Sequence, residues 1–359
     1  MTTTLRAAID EYLDVRSRMG KSGNTMRTDK SLLPRFADHV GDLSFGDLTA
    51  QHVHDFFYAD GGLMDVHVTR IKGQRLHEAV GPGTHNHYRN RLKVFFAYAK
   101  ANGHAPLDNY LSLVDPLPEM KRKRMQPAPS VLLSLLDQAE CAMHRAYLAT
   151  AVNTACRASE LQALKVGDVN FARSELFVTV IKTKEEDDMP LTADLERELR
   201  VWFEEYADLI GRPLDDDDYL FPARSGNQIK THYFDEERGC RVYERTPLVY
   251  HPDRPVERTE KIVKAALEKL GLPTRYEGTH TLRRAVARAY FDQLTEEVGY
   301  DAALRTVSAL LHHKSMSTTE RYLGLSSETK RRDETMKGKA FLTGMVAPKS
   351  NVVPLRRAR

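Results

Sequence analysis

Cysteine is scarce in this chain of 359 residues: three, Cys141, Cys156 and Cys240, an odd number at spacings that suit no zinc site. That excludes a disulfide framework and fits a reducing cytosol. No run of apolar residues approaches the length that spans a bilayer. The first residues, Met1-Thr2-Thr3-Thr4-Leu5-Arg6, lack the apolar core of a secretion signal. Low-complexity tracts are missing too. Net charge is small, +3, so the overall balance does not single out a polyanionic partner, although a local basic face can hide inside it. What is there, 41% hydrophobic and 29% charged residues, is the composition of a soluble globular protein long enough to bury two cores. The expectation is a soluble cytoplasmic protein of two domains, with no membrane contact.

The first third reads as helices. Leu5, Ala8, Ile9, Tyr12 and Leu13 recur at helical spacing over 4–18, and Leu32, Leu33, Phe36 and Val40 over 25–40, with Pro34 inside. Thr49 caps a short helix with Val53, Phe56 and Phe57. Thr84 is expected to open a longer one whose apolar stripe is Tyr88, Leu92, Phe95, Phe96 and Tyr98. His85, His87, Arg89, Arg91 and Lys93 make the rest of that helix cationic. Such a surface is either a solvated face or one that follows a phosphate backbone, where each cation adds affinity without reading sequence. His85 and His87, two apart, point to different faces and do not form a metal pair. Residues 1–113 are therefore expected to be an N-terminal helical domain. A proline-rich, basic linker, 114–129, follows and contains Lys121-Arg122-Lys123-Arg124.

Residues 130–334 carry the chemistry. Arg157, in Thr154-Ala155-Cys156-Arg157-Ala158-Ser159-Glu160-Leu161, stands at the entrance of an amphipathic helix, where free N–H groups add a second source of positive potential. That helix is expected to run to Asp168. Leu176 to Ile181 is a β run. Lys182-Thr183-Lys184 and the acidic 185–188 are expected to make a turn, with a return strand starting at Met189. The segment 227–255, rich in charge and tyrosine, yields no reading. In Gly278-Thr279-His280-Thr281-Leu282-Arg283, Thr279 is expected to cap a helix that carries His280 and Arg283 on one face. Last comes Leu310-Leu311-His312-His313-Lys314-Ser315-Met316-Ser317-Thr318-Thr319-Glu320-Arg321-Tyr322, in which a helix capped near Ser317 brings Tyr322 back toward His313. A lone tyrosine of this kind is ordinarily a buried aromatic with a satisfied hydroxyl. The residues upstream alter that balance.

Two arginines at helix starts can hold both non-bridging oxygens of a phosphodiester and stabilise the charge of a pentacoordinate transition state. A tyrosine that attacks phosphorus keeps the bond energy in a phosphotyrosine. A hairpin lysine suits protonation of the leaving oxygen, and a histidine can accept the phenolic proton near neutral pH. No carboxylate cluster accompanies these motifs, which argues against a two-metal nuclease.

With those residues in view, the chain resembles the tyrosine recombinase, or phage integrase, family over essentially its whole length. The resemblance implies a mainly α fold with a small β-sheet in two domains: an N-terminal helical core-binding domain and a C-terminal α+β catalytic domain. It assigns Arg157 and Arg283 to the phosphate, Lys182, eight positions before Pro190, to the leaving oxygen, and His280 to acid/base work. His313 supports the phosphate, and Tyr322, nine positions later, is the nucleophile that forms a 3′-phosphotyrosine. Glu160 is expected to orient its neighbours. Three departures from the family pattern stand out. His312 occupies the place where a glycine ordinarily precedes the last histidine, so either His312 or His313 could face inward. The hairpin after Lys184 is acidic rather than basic, and Lys184 competes with Lys182. The tail, 335–359, is expected to dock on a neighbouring protomer. The implied partners are double-stranded DNA at a recombination site, a homotetramer on that DNA, and an accessory directionality protein; no cofactor, metal or ATP is implied. A type IB topoisomerase, with the same chemistry, and a DNA-binding regulator without cleavage are the alternatives.

Overall fold

The computed structural model describes residues 3–325 except 42, 65–66, 72–73, 79, 106–108, 120–124, 181–184 and 238; at 67–71 and 74–78 it describes the backbone alone. Lys182, Lys184, the basic run of the linker and the tail from 326 onward thus lie outside the described residues. Two compact units divide the chain, Met1–Lys123 and Arg124–Arg359. Among the described residues no helix is long and apolar enough to cross a membrane.

The first unit holds α1 (Leu5–Arg18), α2 (Gly23–Val40), α3 (Ala50–Tyr58), an antiparallel pair β1 (His67–Ile71) and β2 (Gln74–Glu78), and α4 (Pro82–Ala101). Thr4, Ser22 and Thr49 cap the first three helices through their side chains. α2 continues through Pro34. α4 starts at Pro82, ahead of Thr84, because a proline in the first turn has no needed N–H to lose. Leu5, Ile9, Leu33, Phe36, Phe57, Leu92 and Phe95 close one core.

The cationic surface expected of α4 is largely spent inside the fold. His85 is fully buried, with Nε2 2.9 Å from the Tyr58 hydroxyl. Arg91 forks onto buried Asp29, its Nε 2.6 Å from Oδ1, and Arg16 approaches the same carboxylate at 3.6 Å. Arg89 donates to the Val114 carbonyl. His87 and Lys93 remain exposed.

The second unit opens with α5 (Pro129–Asp137), α6 (Ala142–Thr154) and α7 (Ala158–Ala163), then the antiparallel sheet β3 (Val169–Asn170), β4 (Glu175–Val180) and β5 (Glu185–Pro190), and α8 (Ala193–Ile210). β6 (Pro222–Ser225) pairs with β9 (Val249–Pro255), and the segment between them forms a ribbon of β7 (Ile229–Asp235) and β8 (Cys240–Arg245). α9 (Thr259–Lys269), α10 (Thr279–Val298), α11 (Tyr300–Leu310) and α12 (Met316–Leu323) complete it. α10 is central, packing on α5, α6, α9, α11 and α12 through Leu282, Ala285 and Val286. The result is a mainly α fold with small sheets.

Three expectations change in this unit. Gly278, not Thr279, is the N-cap of α10. The helix after Arg157 stops at Ala163, and Asp168 closes a separate 3₁₀ turn. The acidic run 185–188 is strand, not turn: Glu185, Glu186, Asp187 and Asp188 pair with Val180, Thr179, Val178 and Phe177. Backbone pairing to an apolar strand fixes these residues as β although their own propensity is poor.

Candidate active site

Two left-handed turns build the site. α6 ends at Ala155, φ 52°, whose N–H returns to Ala151, and Arg157 then serves as the N-cap of α7. α11 ends in a Schellman motif: the N–H of His312, φ 49°, reaches Ala309 at 2.8 Å and that of His313 reaches Ser308 at 3.0 Å. Each turn frees a carbonyl, Ala155 O and Leu311 O, and both are taken by Arg283.

Arg283, the fifth residue of α10, is 2% exposed. Its Nη1 donates to Ala155 O and its Nη2 to Leu311 O at 2.7 Å. Arg157 reaches the same Leu311 oxygen at 3.5 Å from Nη2. Glu160, buried one turn into α7, accepts from Arg157 Nη1 at 2.6 Å and from the Arg157 backbone N–H at 2.7 Å, and lies 3.7 Å from Arg283. The two arginines, drawn from chain positions 126 apart (157 and 283), therefore share one corner with a single carboxylate. Burial, and then the charge of Arg157, press the Arg283 pKa downward. An anion entering this corner would meet both forks and relieve that crowding.

Tyr322 lies on α12 between two imidazoles. Ring centroids are 5.2 Å apart for His280 and 5.4 Å for His313, both edge-on. Its hydroxyl is buried and makes no hydrogen bond of ordinary geometry among the described residues, although Arg283 stands close enough to favour the phenolate. Burial raises the phenol pKa above its ordinary 10, and Arg283, Arg284 and Arg157 oppose that rise in descending order. His280 is exposed at the first turn of α10 while Arg283 beside it is buried. His313, not His312, faces the tyrosine, and its Nδ1 is 3.0 Å from the hydroxyl of Thr319.

The sequence reading missed several of these partners. Thr319, fully buried and one turn before Tyr322, links His313 to Ser308 Oγ at 3.1 Å. The signal available was a hydroxyl three positions before the tyrosine on one helix face. Arg284 is held by the Met125 carbonyl at 3.2 Å and lies 3.7 Å from Glu277. Cys156, next to Arg157, is no rival nucleophile, since burial pushes its thiol up to about 11.

Two comparisons find known proteins similar to this chain. Residues 128–329 fit the model of the phage integrase family. A lambda integrase fragment (75–356), solved as a dimer bound to a COC′ core site, is 18% identical, with 89% of this chain and 95% of that one covered and a TM-score of 0.58. The Tn1549 transposon integrase (82–397), in complex with circular intermediate DNA, is 14% identical over 93% of this chain and 99% of that one, with a TM-score of 0.59. XerH recombinase, in a post-cleavage complex with a palindromic difH substrate, is 17% identical over 86% and 79%, at 0.55. At these identities the likeness establishes the fold. A comparison with curated proteins finds no matching relative.

Proposed function

This chain belongs to the phage integrase family of tyrosine recombinases, enzymes of site-specific recombination that cleave and rejoin DNA, and from that premise we propose that Tyr322 is its nucleophile. The phenol oxygen attacks the scissile phosphorus, the bond to O5′ breaks, and the product is a 3′-phosphotyrosine with a free 5′-hydroxyl. Arg157 and Arg283 hold the non-bridging oxygens and stabilise the added charge of the pentacoordinate state. His280, edge-on to the ring, accepts the phenolic proton, and His313, fixed by Thr319, supports the phosphate. Lys182 protonates the departing O5′. The 5′-hydroxyl of a second strand reverses the step, so the phosphotyrosine carries the bond energy and neither ATP nor metal is consumed. Exchange then proceeds through a Holliday junction in a homotetramer on duplex DNA, a reading supported by the likeness to lambda integrase solved as a tetramer bound to a Holliday junction. Residues 1–113 embrace the DNA, 130–334 cut it, and the tail from 335 docks on a neighbouring protomer.

One observation carries this reading: both guanidinium groups converge on the Leu311 carbonyl beside a tyrosine that lies between two histidines. Incubation with a nicked duplex that loses the leaving strand should trap a covalent adduct. Adduct that persists in Tyr322→Phe, or none in wild type, refutes it.

A further inference from the structure

Two departures from the family pattern, read apart in the sequence, meet in space. His312 adopts a left-handed φ of 49° at the position after a helix end where glycine is the usual occupant, and a side chain there is strained. Its ring is mostly covered, 12% exposed, and Nε2 lies 3.6 Å from Asp187 Oδ2 on β5. Asp187 is itself misplaced by the strand pattern. It pairs with Val178 and shares the inward side of the sheet with Met189, while Leu176, Val178 and Val180 opposite are buried. An aliphatic side chain would be expected there. The Asp187 side chain is 45% exposed, so its carboxylate lies at the solvent edge of that face, within reach of the covered imidazole of His312.

The contact is well placed to matter. β5 is anchored by Met189 and by pairing to β4, so it is the fixed side. His312 lies between Leu311, whose carbonyl receives Arg157 and Arg283, and His313, whose ring faces Tyr322. We propose that the Asp187–His312 pair is a latch that pins the turn at 311–313 and so sets the position of the arginine cradle. Both are positioning residues, and the assignment rests on the reading of the cradle as the phosphate site.

The test measures adduct formation by wild type, Asp187→Asn, His312→Gly and the double variant. Three nicked duplexes are used: an ordinary scissile phosphate, a methylphosphonate that removes the charge the arginines meet, and a 5′-thio leaving group that needs no proton. Glycine suits the left-handed turn, so His312→Gly folds. On the ordinary phosphate each single variant should be slower by about tenfold to a hundredfold, as expected for a misplaced group, and the double variant no slower than either. On the methylphosphonate all should come within about twofold of wild type, since the loss acts through the arginines. Recovery on the 5′-thio duplex instead would assign the pair to the hairpin lysine, and additive or absent losses would leave no latch; each overturns the proposal. A second readout avoids Tyr322: inorganic phosphate should raise the melting temperature of wild type more than that of Asp187→Asn or Arg157→Ala. An equal rise in Asp187→Asn overturns the latch, and a wild-type phosphate effect without any adduct places the failure in the nucleophile reading.

Discussion

Arg157 and Arg283 donate to one backbone oxygen, that of Leu311, at 3.5 and 2.7 Å. A carbonyl shared by two guanidinium groups is a modest acceptor for so much charge, and a phosphate with two free oxygens would serve both better. Lysine cannot reproduce the fork. Arg157→Lys should therefore slow adduct formation by about a hundredfold to a thousandfold, the usual loss for one preorganised donor. Arg283→Lys should also lower the melting temperature, because it strips donors from Ala155 and Leu311. Arg157→Lys cleaving at the wild-type rate would detach this corner from the chemistry.

Glu160 tests the same corner from below. Its side chain is 1% exposed, and it is the carboxylate that both arginines approach, at 2.6 and 3.7 Å. Glu160→Gln keeps the shape and removes the charge, leaving two desolvated cations side by side. Breaking a buried pair in this way costs about 3–5 kcal/mol. For a unit of this size that is a fall of roughly 10 °C in melting temperature. A variant as stable as wild type would show the carboxylate to be dispensable.

For Tyr322 the balance of burial against cations decides the sign. Burial is the larger effect and holds the phenol protonated beyond its ordinary pKa of 10, so attack at neutral pH needs a base. Alkaline difference spectra of wild type against Tyr322→Phe should show this phenolate appearing only above pH 10. Arg157→Ala should move it higher still, since Arg157 is among the charges that favour the anion. A Tyr322 phenolate at lower pH would mean that the arginines outweigh burial.

The residues brought together here were legible because each is announced locally, by an arginine at a helix start, a histidine three before an arginine, or a histidine nine before a tyrosine. What the sequence concealed is carried by backbone and by distant pairing. Leu311 contributes only its carbonyl, which leaves no trace in residue identity. The strand at 185–188 was hidden because acidic residues argue for a turn, and only the partner strand overrules them. That His313 rather than His312 meets the tyrosine depends on a left-handed φ, a property of the turn and not of either histidine.

The same limit governs α4, where composition reveals charge but not its partner. Arg91 and Lys93 lie two positions apart, yet Arg91 is committed to Asp29, 62 positions earlier, and Lys93 is exposed. Arg91→Gln should destabilise the first unit by about 1–3 kcal/mol, the cost of losing the fork on a buried carboxylate that keeps Arg16 at 3.6 Å. Lys93→Gln should leave melting unchanged and reduce the salt slope of DNA binding by about one. A salt-slope change from Arg91→Gln without loss of stability would reverse these roles.

His144 predicts the response to acid. It is 6% exposed on α6, and the Arg224 Nη2 donates to its Nε2 at 2.8 Å, so the ring is neutral and carries its proton on Nδ1, 3.6 Å from Glu140. Burial first, then Arg224 and Lys269, lower its pKa from the ordinary 6.5 to about 4. Between those values the unfolded chain takes up a proton that the fold refuses, so stability falls with pH from about 6.5 and the loss levels off below about 4. The full loss is on the order of 3 kcal/mol. Melting temperature followed over that range should fall more steeply for wild type than for His144→Asn, which has nothing to titrate. A His144 ring that titrates near 6.5 in the folded protein by NMR would show that Arg224 does not hold it neutral.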